Sequence, residues 1–559
     1  MNNKLQNLLQ FLIIGACIGA GIIITPNSST EPVDLPKLLV LTTLGFAVLG
    51  ILFSSGYEIV RNVNRVFLVL IILFIIQMTL ALTLSGAPFN QQFYGTFGRN
   101  TGFLAYVSLL GIAVASSFVA SPNFLKRFAY SIIGIGAISI CYDLLQTTGH
   151  DPVKWNNPYN PIIGFLGNPD FEASFLGMVG IVIVSMIVRK ETSILSRVLT
   201  SAALIFLVFL IYRSAAQQGI LVLLLGAAIV VIVYLFKSNN ALLRRFSLPM
   251  LLAAIGAGIF VLLGSLKIGP LAGVLYKTSV RQRGFYWEAA LNMMNKKPIT
   301  GIGLDSYGDW YFRTRSIKAA TITPLVQSNA AHNVFLDLGS NGGWPLFIIN
   351  IALLIFVAIC GIRVLRRELQ FNWVFTGLFA AWVGFEAQAL ISINQLGIGV
   401  WGWALGGAIV GFEFKYLIVL KAKSPGGSEQ KKGRRTKVEK YSLQATFALA
   451  SGFIGFLLVF QLFNADMNYR KATISKSAES VISAALANPK ETGRILQAAQ
   501  LLASNKLNAQ AIQLADEVLK INPDSYNALN LKYQLTLGSS PNAQIMLQRL
   551  RQLDPNGKH

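Results

Sequence analysis

Runs of about 20 apolar residues recur along most of this chain, and they limit its possible folds more than any other feature. Only 13% of the residues are charged and 53% are hydrophobic, whereas a soluble domain carries about 25% charged residues. A run of this length crosses a bilayer as a helix, because a helix satisfies its backbone hydrogen bonds internally. The sequence therefore predicts an all-α polytopic membrane protein.

Length and hydropathy predict about thirteen transmembrane helices. The first apolar run follows Lys4. It could also be a secretory signal peptide, but its length and the lack of a small-residue cleavage pattern at its end favour a membrane helix. The predicted spans lie near residues 8–25, 36–54, 65–85, 102–120, 127–146, 171–188, 195–212, 218–237, 246–266, 343–362, 372–392, 396–418 and 442–462.

The connections between these spans alternate in charge, and the even-numbered ones are rich in Lys and Arg. Examples are Arg61 and Arg65, then Arg363 and Arg366, and finally the segment 421–440, KAKSPGGSEQKKGRRTKVEK. Because basic connections remain in the cytoplasm, the N-terminus is predicted to be cytoplasmic and the C-terminus to lie outside. Segment 421–440 is then a cytoplasmic linker beside anionic lipid rather than a nucleic-acid-binding arm.

The tail, residues 463–559, lacks long apolar runs and shows helical periodicity instead. Its turns contain Pro489, Pro523 and Pro555, at intervals of 34 and 32 residues. This spacing resembles tetratricopeptide repeats, which are helix pairs of about 34 residues, although an unrelated helical hairpin is the alternative. We expect a membrane domain over 1–462 and a separate outer helical domain over 463–559 that holds the acceptor or a partner protein, or orders an assembly.

Two outer connections, 147–170 and 267–332, are long enough to form a site. The second carries nine Lys and Arg residues against three Asp and Glu residues. A basic loop beside the outer membrane surface suits an anionic ligand that is itself held in the membrane.

His332 lies where this basic loop meets the next apolar run, and it is one of only three histidines in the chain. An interfacial histidine is often satisfied by a backbone carbonyl, which is the structural alternative. The scarcity of histidine and the basic surroundings favour a chemical role, because an imidazole can act as a general base near pH 7.

Arg281 and Arg283 precede an apolar stripe formed by Trp287, Leu291 and Met294. The spacing of the stripe predicts an amphipathic helix on the membrane surface. A guanidinium can bind phosphate through two parallel hydrogen bonds, although contact with lipid headgroups would explain either arginine alone.

Two more arginines, Arg99 and Arg213, face the outside on this topology. A positive charge in this position is costly unless it has an anionic partner. The chain has no HExxH motif, no second histidine at metal-ligand spacing and no phosphate-binding GxxxxGK[ST] loop. We therefore expect an enzyme of this sequence to work without a metal, ATP or another cofactor.

Five segments, taken in order, resemble the O-antigen ligase and polymerase superfamily, which includes PilO-type protein oligosaccharyltransferases. They are GTFGRNTG, GNPDFEASFL, SAAQQG, RQRGFYWEAALNMMNKKPITGIGLDSYG and AAHNVFLDLGSNGGWPLFI, within residues 90–415. The resemblance implies a GT-C-type glycosyltransferase of the bacterial cytoplasmic membrane. Such an enzyme moves a glycan from a polyprenyl-diphosphate carrier to an acceptor outside, and a fused repeat tail is a common variant.

The resemblance also implies roles for individual residues. His332 matches the essential histidine, Arg283 matches the arginine placed for the diphosphate, and Arg99 matches a recurrent arginine of the outer loop. Gln218 stands where family members often have an arginine. Arg213, five residues upstream, is an imperfect substitute for that second diphosphate contact.

These expectations combine into an inverting transfer in which His332 is the base and Arg283, helped by Arg99 or Arg213, binds and stabilises the leaving diphosphate. Ligase, polymerase and protein oligosaccharyltransferase activities all fit, with a glycan, lipid or protein acceptor. Two other classes stay open. One is a transporter or flippase for the same lipid-linked glycan, and the other is a membrane-anchored scaffold that works through its repeats.

Overall fold

The computed structural model describes residues 3–155, 160, 162–189, 191–422, 440–475, 477–537 and 542–557. Every regular element in this part of the chain is helical. Most of the predicted linker 421–440 lies outside the described residues, which stop at 422 and resume at 440.

The described residues between 3 and 265 form twelve helices. They are α1 (Asn3–Ile22), α2 (Asp34–Ser54), α3 (Gly56–Asn62), α4 (Arg65–Leu84), α5 (Phe89–Tyr94), α6 (Phe103–Val119), α7 (Pro122–Thr147), α8 (Pro169–Ile187), α9 (Ile194–Arg213), α10 (Gln217–Phe236), α11 (Ala241–Arg245) and α12 (Ser247–Ser265).

The second half contains the long loop, the last spans and the tail. Its helices are α13 (Ala272–Leu275), α14 (Thr278–Lys296), α15 (Tyr307–Thr314), α16 (Ile317–Ile322), α17 (Val334–Arg367), α18 (Trp373–Ala389), α19 (Leu396–Ala422), α20 (Lys440–Ser475), α21 (Ala478–Ala485), α22 (Thr492–Ser504), α23 (Asn508–Ile521), α24 (Tyr526–Thr536) and α25 (Ala543–Leu553).

Eleven helices in the described residues are long and apolar enough to cross a membrane. The helices α6 and α18, of 17 residues each, occupy the two remaining predicted positions. A helix of this length measures about 25 Å, which is less than the roughly 30 Å of a bilayer core. Both are almost completely buried among other helices, so they need not match the lipid thickness. The prediction of an all-α polytopic membrane protein is confirmed.

Large apolar side chains are exposed on the outer helices of the bundle. Examples are Ile72 on α4, Phe206 on α9, Leu224 on α10 and Ile255 on α12. Such a belt would be unfavourable in water, and it marks the surface that lipid covers. The centre is formed by α6, α8, α18 and α19, which bury most of their side chains.

The two ends of the bundle differ in what they carry. At one end Arg367 forms an ion pair of 2.8 Å with Glu413, and Lys415 donates to the carbonyl of Ala120 at 2.8 Å. The opposite end carries the long loop 267–332 and the tail. The assignment of this second end to the outer side of the membrane stays a prediction.

The predicted boundary between residues 462 and 463 falls inside a continuous helix, because α20 runs unbroken to Ser475. The backbone amides of Thr30 and Glu31 donate to Asp466 on this helix, at 2.7 and 3.1 Å. Five further helices follow in the described residues of the tail, and α23 and α25 each end two residues before a predicted proline turn. The tail is helical, and its assignment to tetratricopeptide repeats stays a prediction.

The helix α17 is longer than the predicted span 343–362 and breaks at Gly343, which has a φ of 75°. A Cβ at Gly343 would lie 2.5 Å from the carbonyl oxygen of Pro298. That oxygen accepts a hydrogen bond of 2.9 Å from the amide of Trp344. Gln77 Nε2 donates to the carbonyls of Ile299 and Gly342, which joins the same loop to the kink. The kink therefore fixes the first part of α17, which begins two residues after His332.

Replacing Gly343 by alanine should destabilise the protein, because the new Cβ meets backbone atoms and the left-handed conformation disfavours it. We expect a loss of about 1–3 kcal/mol, measured as a lower melting temperature in detergent. Gly258→Ala is the matched control, since a Cβ there meets nothing within 4 Å. Equal melting temperatures for the two variants would contradict this account of the kink.

Candidate functional site

His332 is held in an uncommon backbone conformation directly before α17. Its φ is 51°, in the left-handed region, and non-glycine residues in this region often lie at functional sites. The preceding Ala330 and Ala331 are completely buried, and the amide of Ala331 donates to Asp337 Oδ1 at 3.1 Å. Asn333 caps α17 by accepting from the amide of Leu336. The packed loop and the helix start together fix the position of the imidazole.

The helix α14 forms one side of the site. Its Tyr286 ring stacks on the His332 ring, with centroids 5.2 Å apart and an interplanar angle of 29°. Trp287 Nε1 donates to the His332 carbonyl at 3.5 Å. The predicted amphipathic helix is present, but Leu291 of its expected stripe is 40% exposed. Met294 of the stripe is buried as predicted, and the buried face also includes Tyr286 and Met293, because it packs on α17 and α15.

Arg99 is buried between two carboxylates. Its guanidinium lies 3.5 Å from Asp305 Oδ1 and 3.0 Å from Asp337 Oδ2. It also donates to the carbonyl of Asn329, in the loop that leads to His332. The Arg99 side chain is 4% exposed. Sequence reasoning placed Arg99 near the donor but missed both carboxylates, which supply the anionic partner that a buried arginine needs.

Arg283 lies in the second turn of α14, three residues before Tyr286. Burial lowers the pKa of its guanidinium, and the nearby Asp170 and Tyr286 oppose this shift. Asp170 is in the first turn of α8, where Asn168 caps the helix by accepting from its amide at 2.8 Å. Sequence reasoning did not select Asp170 as a site residue. The only signal was its place in GNPDFEASFL, one of the family segments.

The imidazole of His332 is kept neutral by its surroundings. Burial and the positive charges of Arg283 and Arg99 lower the pKa of His332 from 6.5 to about 4. The imidazole is therefore unprotonated at neutral pH and can accept a proton. Three of the candidate residues from the sequence, His332, Arg283 and Arg99, are thus close enough to interact electrostatically.

The other candidate residues lie around α9, α10 and the start of α14. Arg281 is in the first turn of α14, and its Nε is buried without a hydrogen bond within the described residues. Gln218 is buried, and its Oε1 likewise has no partner among the described residues. A Cβ at the adjacent Gly219 would lie 2.5 Å from the Ala173 carbonyl oxygen, so Gln218 lies beside the start of α8.

Arg213 is exposed at the end of α9. Its backbone carbonyl accepts from Asn160 at 3.3 Å. Among the described residues, neither Arg213 nor Gln218 forms a hydrogen bond or an ion pair with His332. Arg283 and Arg99 act on the His332 imidazole electrostatically, and Arg213 is not among the causes of the shift in its pKa.

A cleft of about 470 Å³ opens beside His332 and Tyr286. Pockets of about 300–1,000 Å³ are typical of small-molecule sites. Among the described residues, no group of three or more His, Cys, Asp and Glu side chains could hold a metal ion.

The fold and the site define a multi-pass α-helical membrane protein with a His–Arg site and a polar cleft at one end of its bundle. Residues 202–351 match the protein family described as O-Antigen ligase. This segment includes Arg213, Gln218, Arg281, Arg283 and His332, whereas Arg99 lies outside it. The match supports the O-antigen ligase superfamily for this chain and a glycan-transfer function of the ligase type. No curated protein matches the chain.

Removing the Arg99 side chain should destabilise the fold. Arg99→Ala leaves two buried carboxylates without their cation, which costs about 3–5 kcal/mol. We expect a clearly lower melting temperature in detergent. Arg213→Ala should have the same melting temperature as the wild type, because Arg213 is exposed. A wild-type melting temperature for Arg99→Ala would show that the buried pairs contribute little.

Proposed function

We propose that this protein transfers a glycan from a polyprenyl-diphosphate carrier to an acceptor hydroxyl at the outer face of a bacterial cytoplasmic membrane. The observation that carries the proposal is the pairing of a neutral His332 with Arg283. The two residues lie on adjoining elements that meet through the stacked Tyr286. A base beside a phosphate-binding cation is what glycosyl transfer from a diphosphate requires.

The donor diphosphate would bind at α14, at the end of the bundle where the lipid tail can remain in the bilayer. Arg283 would neutralise the diphosphate, and Asp170 would orient the guanidinium through its opposite charge. Arg281 has an unpartnered buried Nε that a phosphate oxygen could satisfy. Gln218 Nε2 could add a neutral donor from α10, at the position where the family resemblance implies an arginine. The exposed Arg213 could reach the diphosphate only from the rim of this site.

The transfer itself would be a direct displacement that inverts the anomeric carbon. The acceptor oxygen attacks that carbon, and the bond from the carbon to the diphosphate oxygen breaks. The acceptor proton passes to the His332 imidazole, which later releases it to solvent. The leaving polyprenyl diphosphate keeps the electron pair of the broken bond, and Arg283 stabilises the charge. Because a cation holds the leaving group, the site needs no separate acid.

Donor binding would also strengthen the base. The positive charge of Arg283 is one cause of the low pKa of His332. A bound diphosphate offsets that charge, so the pKa of the imidazole rises when the donor is in place. The base is then weak in the empty site and stronger in the complex that reacts.

Arg99 would act as a positioning residue in this scheme. Its two carboxylate partners occupy its guanidinium, and one of them, Asp337, also holds the amide of Ala331 next to His332. The expectation that Arg99 contacts the diphosphate directly is therefore replaced in our proposal by a role through the His332 loop.

A lipid-linked glycan transporter would also use arginines that face a cavity, and a scaffold would use the tail alone. Neither needs a neutral histidine beside a half-buried arginine. This pairing favours the transferase over both alternatives.

Glycan transfer should be abolished by His332→Ala. The substitution removes the base, and general bases contribute about 10²–10⁴-fold to rates. The measurement is transfer from a defined lipid-diphosphate donor in membranes with matched expression. His150→Ala is the control, because His150 is an exposed histidine on the loop after α7. Wild-type transfer by His332→Ala would exclude the proposed base and would favour a transporter or a scaffold.

The pH profile of transfer should reflect the low pKa of His332. A base works only when unprotonated, so kcat/KM for the donor should stay level from about pH 8 to about pH 6 and fall only near the pKa of about 4. Arg283→Gln removes a nearby positive charge, so the acid limb of its residual activity should move up toward the ordinary value of 6.5.

Arg213→Gln is the matched control for this profile and should leave the acid limb in place. Enzyme returned to neutral pH must recover full activity, which separates titration from unfolding. An acid limb near 6.5 in the wild type, or no movement in Arg283→Gln, would contradict the electrostatic account.

A further inference from the structure

The cleft beside His332 has a wall that belongs to the tail. On the membrane side it is lined by His332 and Tyr286 together with Asn329. On the opposite side the lining comes from the tail, with Thr492 at the start of α22 and Asn527 in α24. The tail therefore borders the same space as the proposed base.

The tail is attached to the long loop by buried polar contacts. Arg315 Nε and Nη2 donate to the two carboxylate oxygens of Asp554, at 3.1 and 2.6 Å, and both side chains are almost completely buried. Asn556 Nδ2 donates to the Arg315 carbonyl at 2.8 Å. The rings of Phe312 and Tyr526 pack with centroids 4.5 Å apart. These contacts make the tail a fixed wall rather than a loosely tethered domain.

A hydrogen bond of 2.8 Å from Asn527 Nδ2 to Gln327 Oε1 joins the tail to the loop at the cleft itself. Gln327 and Asn527 both line the cleft. The position of the tail wall relative to His332 is therefore fixed by two contacts, the hydrogen bond at the cleft and the ion pair of Arg315 with Asp554.

Neutral polar side chains dominate the lining. They include the amides of Gln91, Gln327, Asn329, Asn522 and Asn527. Amide groups both donate and accept hydrogen bonds, which matches the dual character of sugar hydroxyls. Among the described residues no Lys or Arg lines the cleft, and its one carboxylate, Asp309, already accepts from Gln91 at 2.8 Å. An anionic ligand would find no cation here.

The cleft is also distinct from the proposed donor site. The residues proposed for the diphosphate, Arg281, Arg283 and Gln218, are not part of its lining. The two sites meet at His332 and at Tyr286, which is on the same helix as Arg283. A ligand in the cleft thus reaches the base from a part of the site that the proposed donor-binding residues do not line.

We propose that this cleft is the acceptor site, that the tail supplies one of its walls, and that its ligand is an uncharged, polyhydroxylated glycan unit. This inference rests on the proposed function. The acceptor hydroxyl would lie at His332, while the tail amides hold the remaining hydroxyls of the sugar. The tail then recognises substrate directly instead of recruiting a partner protein.

The test uses the full-length enzyme with a defined lipid-diphosphate donor and a neutral oligosaccharide as the acceptor probe. Asn527→Trp and Thr492→Trp place bulk in the cleft from two different tail helices. Each should raise KM for the acceptor about tenfold or more and leave KM for the donor within about twofold. Asn508→Trp, an exposed residue at the start of α23, should change neither.

Limited proteolysis shows whether the tail stays attached in each variant. If Asn527→Trp releases the tail by breaking its hydrogen bond to Gln327, the test of the tail uses the KM values of Thr492→Trp alone. If the tail of the Thr492→Trp variant stays attached and its KM for the acceptor is unchanged, the proposed role of the tail is wrong. Equal increases in KM for the acceptor and KM for the donor would also contradict it. If the role of the tail is contradicted but His332→Ala still abolishes transfer, the proposed function stands without it.

The class of acceptor is tested with three probes in the wild type. A neutral oligosaccharide should be glycosylated, whereas an anionic oligosaccharide and a serine-containing peptide should react at least tenfold more slowly. Preference for the peptide or the anionic sugar would overturn the proposed ligand. No transfer to any probe, with an active donor, would contradict the proposed function itself.

Discussion

The buried ion pairs of Arg99 hold the site together. The guanidinium connects three parts of the chain: its own loop after α5, the loop that contains Asp305, and the first turn of α17 with Asp337. Its further bond to the Asn329 carbonyl reaches the segment that leads to His332. A buried charge is tolerated only when it is paired, so these segments must meet for any of them to fold. The orientation of the proposed base depends on that requirement.

The electrostatics of the site follow from the same arrangement. Burial and the two nearby arginines lower the pKa of His332 and keep the imidazole unprotonated in the empty enzyme. The charge that weakens the base is also the charge proposed to hold the donor. Binding of an anion at Arg283 would therefore be felt at His332 without any movement of the chain. Such a site favours proton transfer only once the leaving group is in position.

Much of the architecture could be predicted from local patterns. The apolar runs predict the positions of the spans. The change from a polar loop to an apolar run after Gln327 predicts that His332 lies where the loop meets the next helix. Helix α14 also follows from its periodicity. The partners of Arg99 could not be predicted in this way, because Asp337 lies 238 residues away in the chain. The contact between Arg315 and Asp554, 239 residues apart, and the close approach of Gly343 to Pro298 likewise depend on tertiary packing that leaves no local pattern.

The continuous helix α20 has a consequence for the geometry of the whole molecule. Its 36 residues extend over about 54 Å at 1.5 Å per residue, so one rigid rod spans the bundle and forms the base of the tail. Each residue added to that rod would rotate the tail by about 100° and lift it by about 1.5 Å. Asn527 would then no longer face Gln327. The number of residues between the membrane and the tail is thus itself a determinant of the cleft, and side chains in this stretch can vary more freely than its length.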